Sequence, residues 1–100
     1  MRIIFNIHSN RAARAAGWRA RAVYVNDKGD ALLDEALKAV MLADGSSVHD
    51  YIIEEDRLGN GWVLVVNGIT ISDVSFLKTN VKDNVQMHLM DNPNTERKMK

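Results

Sequence analysis

Met1, Ile3, Phe5 and Ile7 alternate with Arg2, Ile4 and Asn6, the period of two that gives a strand one core-facing side. His8-Ser9-Asn10 breaks the alternation. Residues 11–17, rich in alanine and arginine and closed by Gly17, suit a helical turn, a loop or a hairpin tip. Residues 18–25 read as a second strand, with Arg19 and Arg21 interleaved among Ala20, Ala22 and Tyr24. Asn26-Asp27-Lys28-Gly29 is a turn by composition.

A helix is expected over about residues 30–43. Asp30 stands where an N-cap belongs, and Leu33, Ala36, Leu37, Val40 and Met41 recur at helical spacing. Asp34, Glu35 and Lys38 fall on the opposite side, with Asp34 and Lys38 four apart in the favourable order. Gly45 ends this stretch. Ser47 and Asp50 are placed to cap a second short helix through Tyr51, Ile52 and Ile53, and the acidic Glu54-Glu55-Asp56 follows.

Gly59-Asn60-Gly61 leads into Trp62-Val63-Leu64-Val65-Val66, a run of β-formers. Asn67-Gly68 then predicts a two-residue hairpin turn returning through Ile69-Thr70-Ile71, since both turn positions must tolerate positive φ. A loop anchored by Val74, Phe76 and Leu77 reaches Asp83-Asn84. The last strand, residues 85–90, alternates Val85, Met87 and Leu89 with Gln86, His88 and Met90. The order of strand, strand, helix, hairpin, loop and strand predicts an α+β domain.

Composition supports one folded unit. The chain has 100 residues, 46% apolar and 26% charged, the size and balance of one globular domain. It has no cysteine, which excludes disulfides, thiolate catalysis and cysteine-ligated metals. No apolar run reaches the roughly 20 residues that span a bilayer, and the start turns polar too soon for a signal peptide. A cytoplasmic protein with no membrane role is the expectation. Net charge is zero but unevenly spread, at +5 over residues 1–26, −7 over 27–73 and +2 over 74–100. That balance disfavours nucleic acid as a general partner, because such domains are usually basic overall.

The element order, with these residues, resembles the β-grasp fold. The opening Met1-Arg2-Ile3-Ile4-Phe5-Asn6-Ile7 resembles the first strand of ubiquitin. Ile71-Ser72-Asp73 and Val85-Gln86-Met87-His88-Leu89-Met90 resemble its closing loop and final strand. Leu64-Val65-Val66-Asn67-Gly68, followed by Val81-Lys82-Asp83-Asn84-Val85, is similar to the small sulfur carriers of molybdopterin and thiamine synthesis. The resemblance implies a mixed four- to five-stranded sheet with one main helix across one face. Residues 1–92 would form that domain and 93–100 a polar, flexible tail.

The sequence departs from that family at its end. Sulfur carriers and ubiquitin act through a tail ending in Gly-Gly, whose carboxylate is adenylated. Here no glycine follows Gly68. The family's covalent chemistry is therefore not expected, and fold analogy cannot restore it.

The residues offer little other chemistry. Ser46, Ser47, His49 and Asp50 are triad residue types without a nucleophile elbow, and read as capping and turn residues. His8 and His88 would lie on neighbouring parallel strands, but strand parity at a fraying end argues against a ligand pair and for exposed histidines. Glu54-Glu55-Asp56 reads as a solvated face, and Gly59-Asn60-Gly61 lacks the pattern of a phosphate loop. No cofactor motif appears. Trp62 is expected at the core or its edge.

Two binding surfaces remain. If Ile3, Phe5, Leu64, Val66, Met87 and Leu89 face the helix, then Ile4, Val63, Val65, His88 and Met90 face away. The strands carrying Ile4, Val65, His88 and Met90 match those that build the apolar protein-binding patch of ubiquitin, so these five form the candidate partner site. Arg11, Arg14, Trp18 and Arg19 form a candidate anion site, unless the arginines pair with the chain's own acids. The favoured function is a non-catalytic protein-binding module, or a small accessory subunit of a larger cytoplasmic enzyme complex, with self-association open to it. The alternatives are a sulfur-carrier-like protein and an RNA- or nucleotide-binding module using the arginines.

Overall fold

A computed structural model describes residues 1–55, 57–71 and 74–93, leaving aside the side chains of residues 74 and 75. Asp56, the Ser72-Asp73 pair, the Val74 anchor and all of the expected tail beyond Pro93 lie outside the described residues.

Strand β1 (Arg2–Ile7) buries Ile3, Phe5 and Ile7 and leaves Arg2, Ile4 and Asn6 at least partly exposed, as its alternation predicts. The next segment is a helix, α1 (Asn10–Ala16). The Ser9 side chain caps it by accepting from the Ala12 amide at 3.2 Å, and the Gly17 amide closes it on the Ala13 carbonyl at 2.8 Å. Ala12, Ala13 and Ala16 are buried, and their small side chains let this short helix lie close against the core. Strand β2 (Ala20–Tyr24) then returns antiparallel to β1.

The expected helix over 30–43 is much shorter. Residues Asp30–Leu32 form β3, and α2 covers only Leu33–Ala39. The reason is competition from long-range pairing. Strand β3 pairs with β8 (Asn80–Lys82), and the Asp30 carboxylate accepts from Asn80 instead of capping a helix. At the other end the Val40 carbonyl accepts from the Val48 amide at 2.8 Å, which draws the chain out of the helix. Asp34 also departs from expectation. It is 7% exposed, and it pairs with Lys78 at 2.8 Å instead of facing solvent beside Lys38.

Helix α3 (Val48–Ile52) is capped by Ser47, which accepts from the Asp50 amide at 3.1 Å, the capping role read from the sequence. A small hairpin follows, β4 (Ile53–Glu54) with β5 (Arg57–Leu58). Strands β6 (Trp62–Val66) and β7 (Ile69–Ile71) form the predicted second hairpin. Its turn residues Asn67 and Gly68 have φ of 50° and 83°, the left-handed pair that Asn-Gly accommodates. A 3₁₀ turn (Val74–Lys78) places Leu77 in the core with Phe76 packed at its edge. Strand β9 (Val85–Asp91) completes the main sheet.

That sheet has the order β2-β1-β9-β6-β7. Its central pair, β1 and β9, is parallel, and the flanking pairs are antiparallel. The buried residues of α1, α2 and α3 share one core with the inward residues Ile3, Phe5, Leu64, Met87 and Leu89. All three helices therefore lie on the same side of the sheet.

Candidate protein-binding face

Every strand of the main sheet sends alternate side chains to the side away from the helices. Ile4 comes from β1, Val63 and Val65 from β6, and His88 and Met90 from β9, and all five are partly exposed. None belongs to the core cluster or packs against it. The register sets their neighbours, with Val65 opposite His88, Val63 opposite Met90, and Ile4 beside Gln86. Val63, Val65 and Met90 therefore adjoin, while β9 separates Ile4 from them.

Sequence parity missed the polar residues between. Asn6 donates through Nδ2 to Gln86 Oε1 at 3.2 Å and to the Met87 carbonyl at 3.0 Å. This tie crosses the central strand pair on the same face. The signal that finds it is the parallel register, in which Asn6 lies beside His88.

The two histidines also differ from expectation. His8 Nε2 and His88 Nδ1 are 2.9 Å apart, so the rings are joined and not separate. The His8 amide donates to the Leu89 carbonyl at 2.9 Å, so the ladder continues past Ile7 and the strand end does not fray. Both side chains then fall outward on adjacent parallel strands. No third His, Cys, Asp or Glu completes a metal-binding group with them among the described residues.

The candidate anion site does not form one cluster. Arg11 stacks on the Trp62 ring at 3.9 Å, bonds Asp91 Oδ1 through Nε at 2.8 Å, and bonds the Gly61 carbonyl at 2.9 Å. Its guanidinium lies so near Gly61 that a Cβ there would meet Nη2 at 2.8 Å. Arg11 is thus a clasp between α1, β9 and the start of β6, paired with the chain's own acid. Trp18 lies apart from it, edge-on to Phe5 at 6.1 Å, with the Arg21 guanidinium over its ring at 5.0 Å. Arg19 donates to the Asn10 side chain at 2.8 Å, and Arg14 is exposed in the last turn of α1. Trp62 is 8% exposed at the core edge, where it also meets Tyr51.

The turn into β9 is fixed electrostatically. Asp83 Oδ1 accepts from the Arg2 amide at 2.7 Å, and this bond holds the carboxyl below its ordinary pKa. The contact pins the start of β1 to the start of β9 and so sets the register that builds the outer face.

A mixed five-stranded sheet with a parallel central pair and helices on one side, the opposite side left uncovered among the described residues, defines the ubiquitin-like β-grasp fold. The crystal structure of SAMP1 from Haloferax volcanii is similar at a TM-score of 0.65 and 20% identity, covering 92% of this chain and 96% of that one. A crystal structure of H. volcanii small archaeal modifier protein 1 gives a TM-score of 0.61 and 21% identity, covering 89% and 94%. At that identity the likeness is one of fold. No protein-family model and no curated protein matches the sequence. No helix among the described residues is long and apolar enough to cross a membrane.

Proposed function

We propose that residues 1–92 act as a non-catalytic, ubiquitin-like protein-binding module, or as a small accessory subunit of a cytoplasmic enzyme complex. The partner docks on the outer sheet face through Val63, Val65 and Met90, with Ile4 and His88 at its margins. The observation that carries this reading is that no described residue covers the face. The Arg-rich segment 8–17, which had the reach to fold over these side chains, instead buries its alanines on the opposite side of the sheet. Adjoining apolar side chains left partly exposed on a rigid sheet favour a partner. Photo-crosslinking from Thr70, the neighbour of Val65 across the β6–β7 ladder, tests it in cells. A discrete crosslinked protein is expected, and Val65→Asp should remove it. Crosslinking that survives Val65→Asp refutes the site.

The likeness to a small archaeal modifier protein favours a second reading, that of a carrier or covalently attached modifier. That reading calls for a Gly-Gly carboxyl end on the form that reacts. Intact-mass analysis decides: an acyl-adenylate, a thiocarboxylate or an amide-linked conjugate would establish that reading over the first.

A further inference from the structure

The outer face holds a chemical feature that docking alone does not use. His8 and His88 meet through Nε2 and Nδ1 at 2.9 Å, with ring centroids 5.2 Å apart and planes 22° from parallel. The difference between the two distances is taken up by the two ring radii. The rings therefore lie edge to edge, nearly coplanar, with the nitrogen–nitrogen vector running along both. This is the geometry of a linear N–H···N hydrogen bond, in which one imidazole donates and the other accepts. A metal chelate would need both lone pairs to converge on a third point, whereas here they are aimed at each other.

We propose that this pair makes docking on the outer face proton-gated: the neutral pair accepts an apolar partner surface, and its protonation expels that surface. The inference rests on the outer face being the docking site.

Proton uptake has two stages. The first proton goes to a ring nitrogen outside the shared bond, which leaves N–H···N intact and places one positive charge on the face. The second must take the accepting lone pair, which sets two N–H groups head to head and breaks the bond. Either charge would have to be desolvated under an apolar partner, at a cost in affinity.

Among the described residues the surroundings offer no compensation. No strand residue that the register turns to this face is an Asp or Glu, and Arg2 adds a further positive charge. On β1 and β9 the neighbours are Asn6, Gln86 and Met90, and β6 sets Val65 opposite His88. On β2 Ala20 lies opposite Asn6. At the α1 end Asp91 is taken by Arg11 and Ser9, and Arg19 by Asn10. Asp83 is held by the Arg2 amide, and Asp27 by the Tyr24 hydroxyl at the far end of β2. The sign follows: acidification through the range in which histidine gains a proton weakens docking.

Two measurements test it on the intact chain. Nitrogen-15 NMR should show a cross-hydrogen-bond coupling between His8 Nε2 and His88 Nδ1 at about pH 8. Its absence at that pH overturns the pair. Retention on a phenyl-agarose matrix at constant ionic strength then probes the face. The wild type should lose about threefold or more of its retention from pH 8 to pH 5, and His8→Gln/His88→Gln should abolish that loss. Retention that is flat or rises on acidification, or a loss that persists in the double variant, overturns the gate. Val65→Asp keeps the failures apart: if it leaves retention at pH 8 unchanged, the docking face itself is refuted. If it lowers retention while the wild type shows no pH response, only the gate is.

Discussion

The two faces of the one sheet are made from the same strands, residue by residue in alternation, yet they obey different rules. On the inner face Ile3, Phe5 and Met87 are 0% exposed and meet three helices. On the outer face Ile4, Val65 and His88 keep solvent contact, with Ile4 beside Gln86 and Val65 opposite His88. The inner face is filled with shape and tolerates no loss. The outer face combines apolar side chains with histidine, asparagine and glutamine tied across strands. In a β-strand stability and recognition can thus be separated by a single residue step.

The largest effect that sharpens this contrast is on the inner side. Leu37 is 0% exposed, and Leu37→Ala should cost about 2–5 kcal/mol in chemical denaturation, the range for emptying a packed leucine site. Arg11→Ala should come next, at about 1–2 kcal/mol, because it removes a guanidinium stacked on Trp62 together with its bond to Asp91. Smaller again is the Asp34–Lys78 pair at the helix side of the core. The hydrogen bond from Lys78 holds the Asp34 carboxyl below its ordinary pKa. A depressed pKa means that the unfolded chain takes up the proton first. The contribution is complete above the usual aspartate range of about 3.9 and is lost as pH falls through the lowered folded value. Lys78→Met should flatten the acid limb of a profile of unfolding free energy against pH by about 1 kcal/mol or less, since Lys78 is largely exposed. The smallest change in stability belongs to the outer face. Val65→Asp should stay within about 0.5 kcal/mol of the wild type while abolishing docking, and unfolding of this variant would erase the distinction between the faces.

The parity of β1 and β9 was legible in their alternation, while the wholly apolar β6 had to be counted back from the Asn-Gly turn by its resemblance to ubiquitin. That was enough to give the α+β architecture and the position of all five outer-face residues. The ends of α2 were not legible. Residues 30–32 are compatible with a helix start, and only their pairing with residues 80–82, some fifty positions away, makes them a strand. The helix α1 was readable afterwards, since Ser9 and Gly17 bracket it as N-cap and C-cap, but seven residues are too few for periodicity to decide. The His8–His88 bond and the Arg11 clasp depend on which strands become neighbours and in what register. Local patterns carry no such information, and the arginine-rich segment read as one basic cluster for that reason.

The parallel pairing of β1 with β9 also has a mechanical consequence. The chain enters β1 at one end of the sheet and leaves β9 at the other, so tension along the backbone pulls these two strands past each other lengthwise. Their five registered positions, from Ile3 with Val85 to Ile7 with Leu89, then carry the load together instead of parting one by one as in an unzipped hairpin. The Asp83–Arg2 contact braces the same seam at one end. A pull on the segment after β9, such as an unfolding motor would apply, thus meets the fold along its most resistant direction.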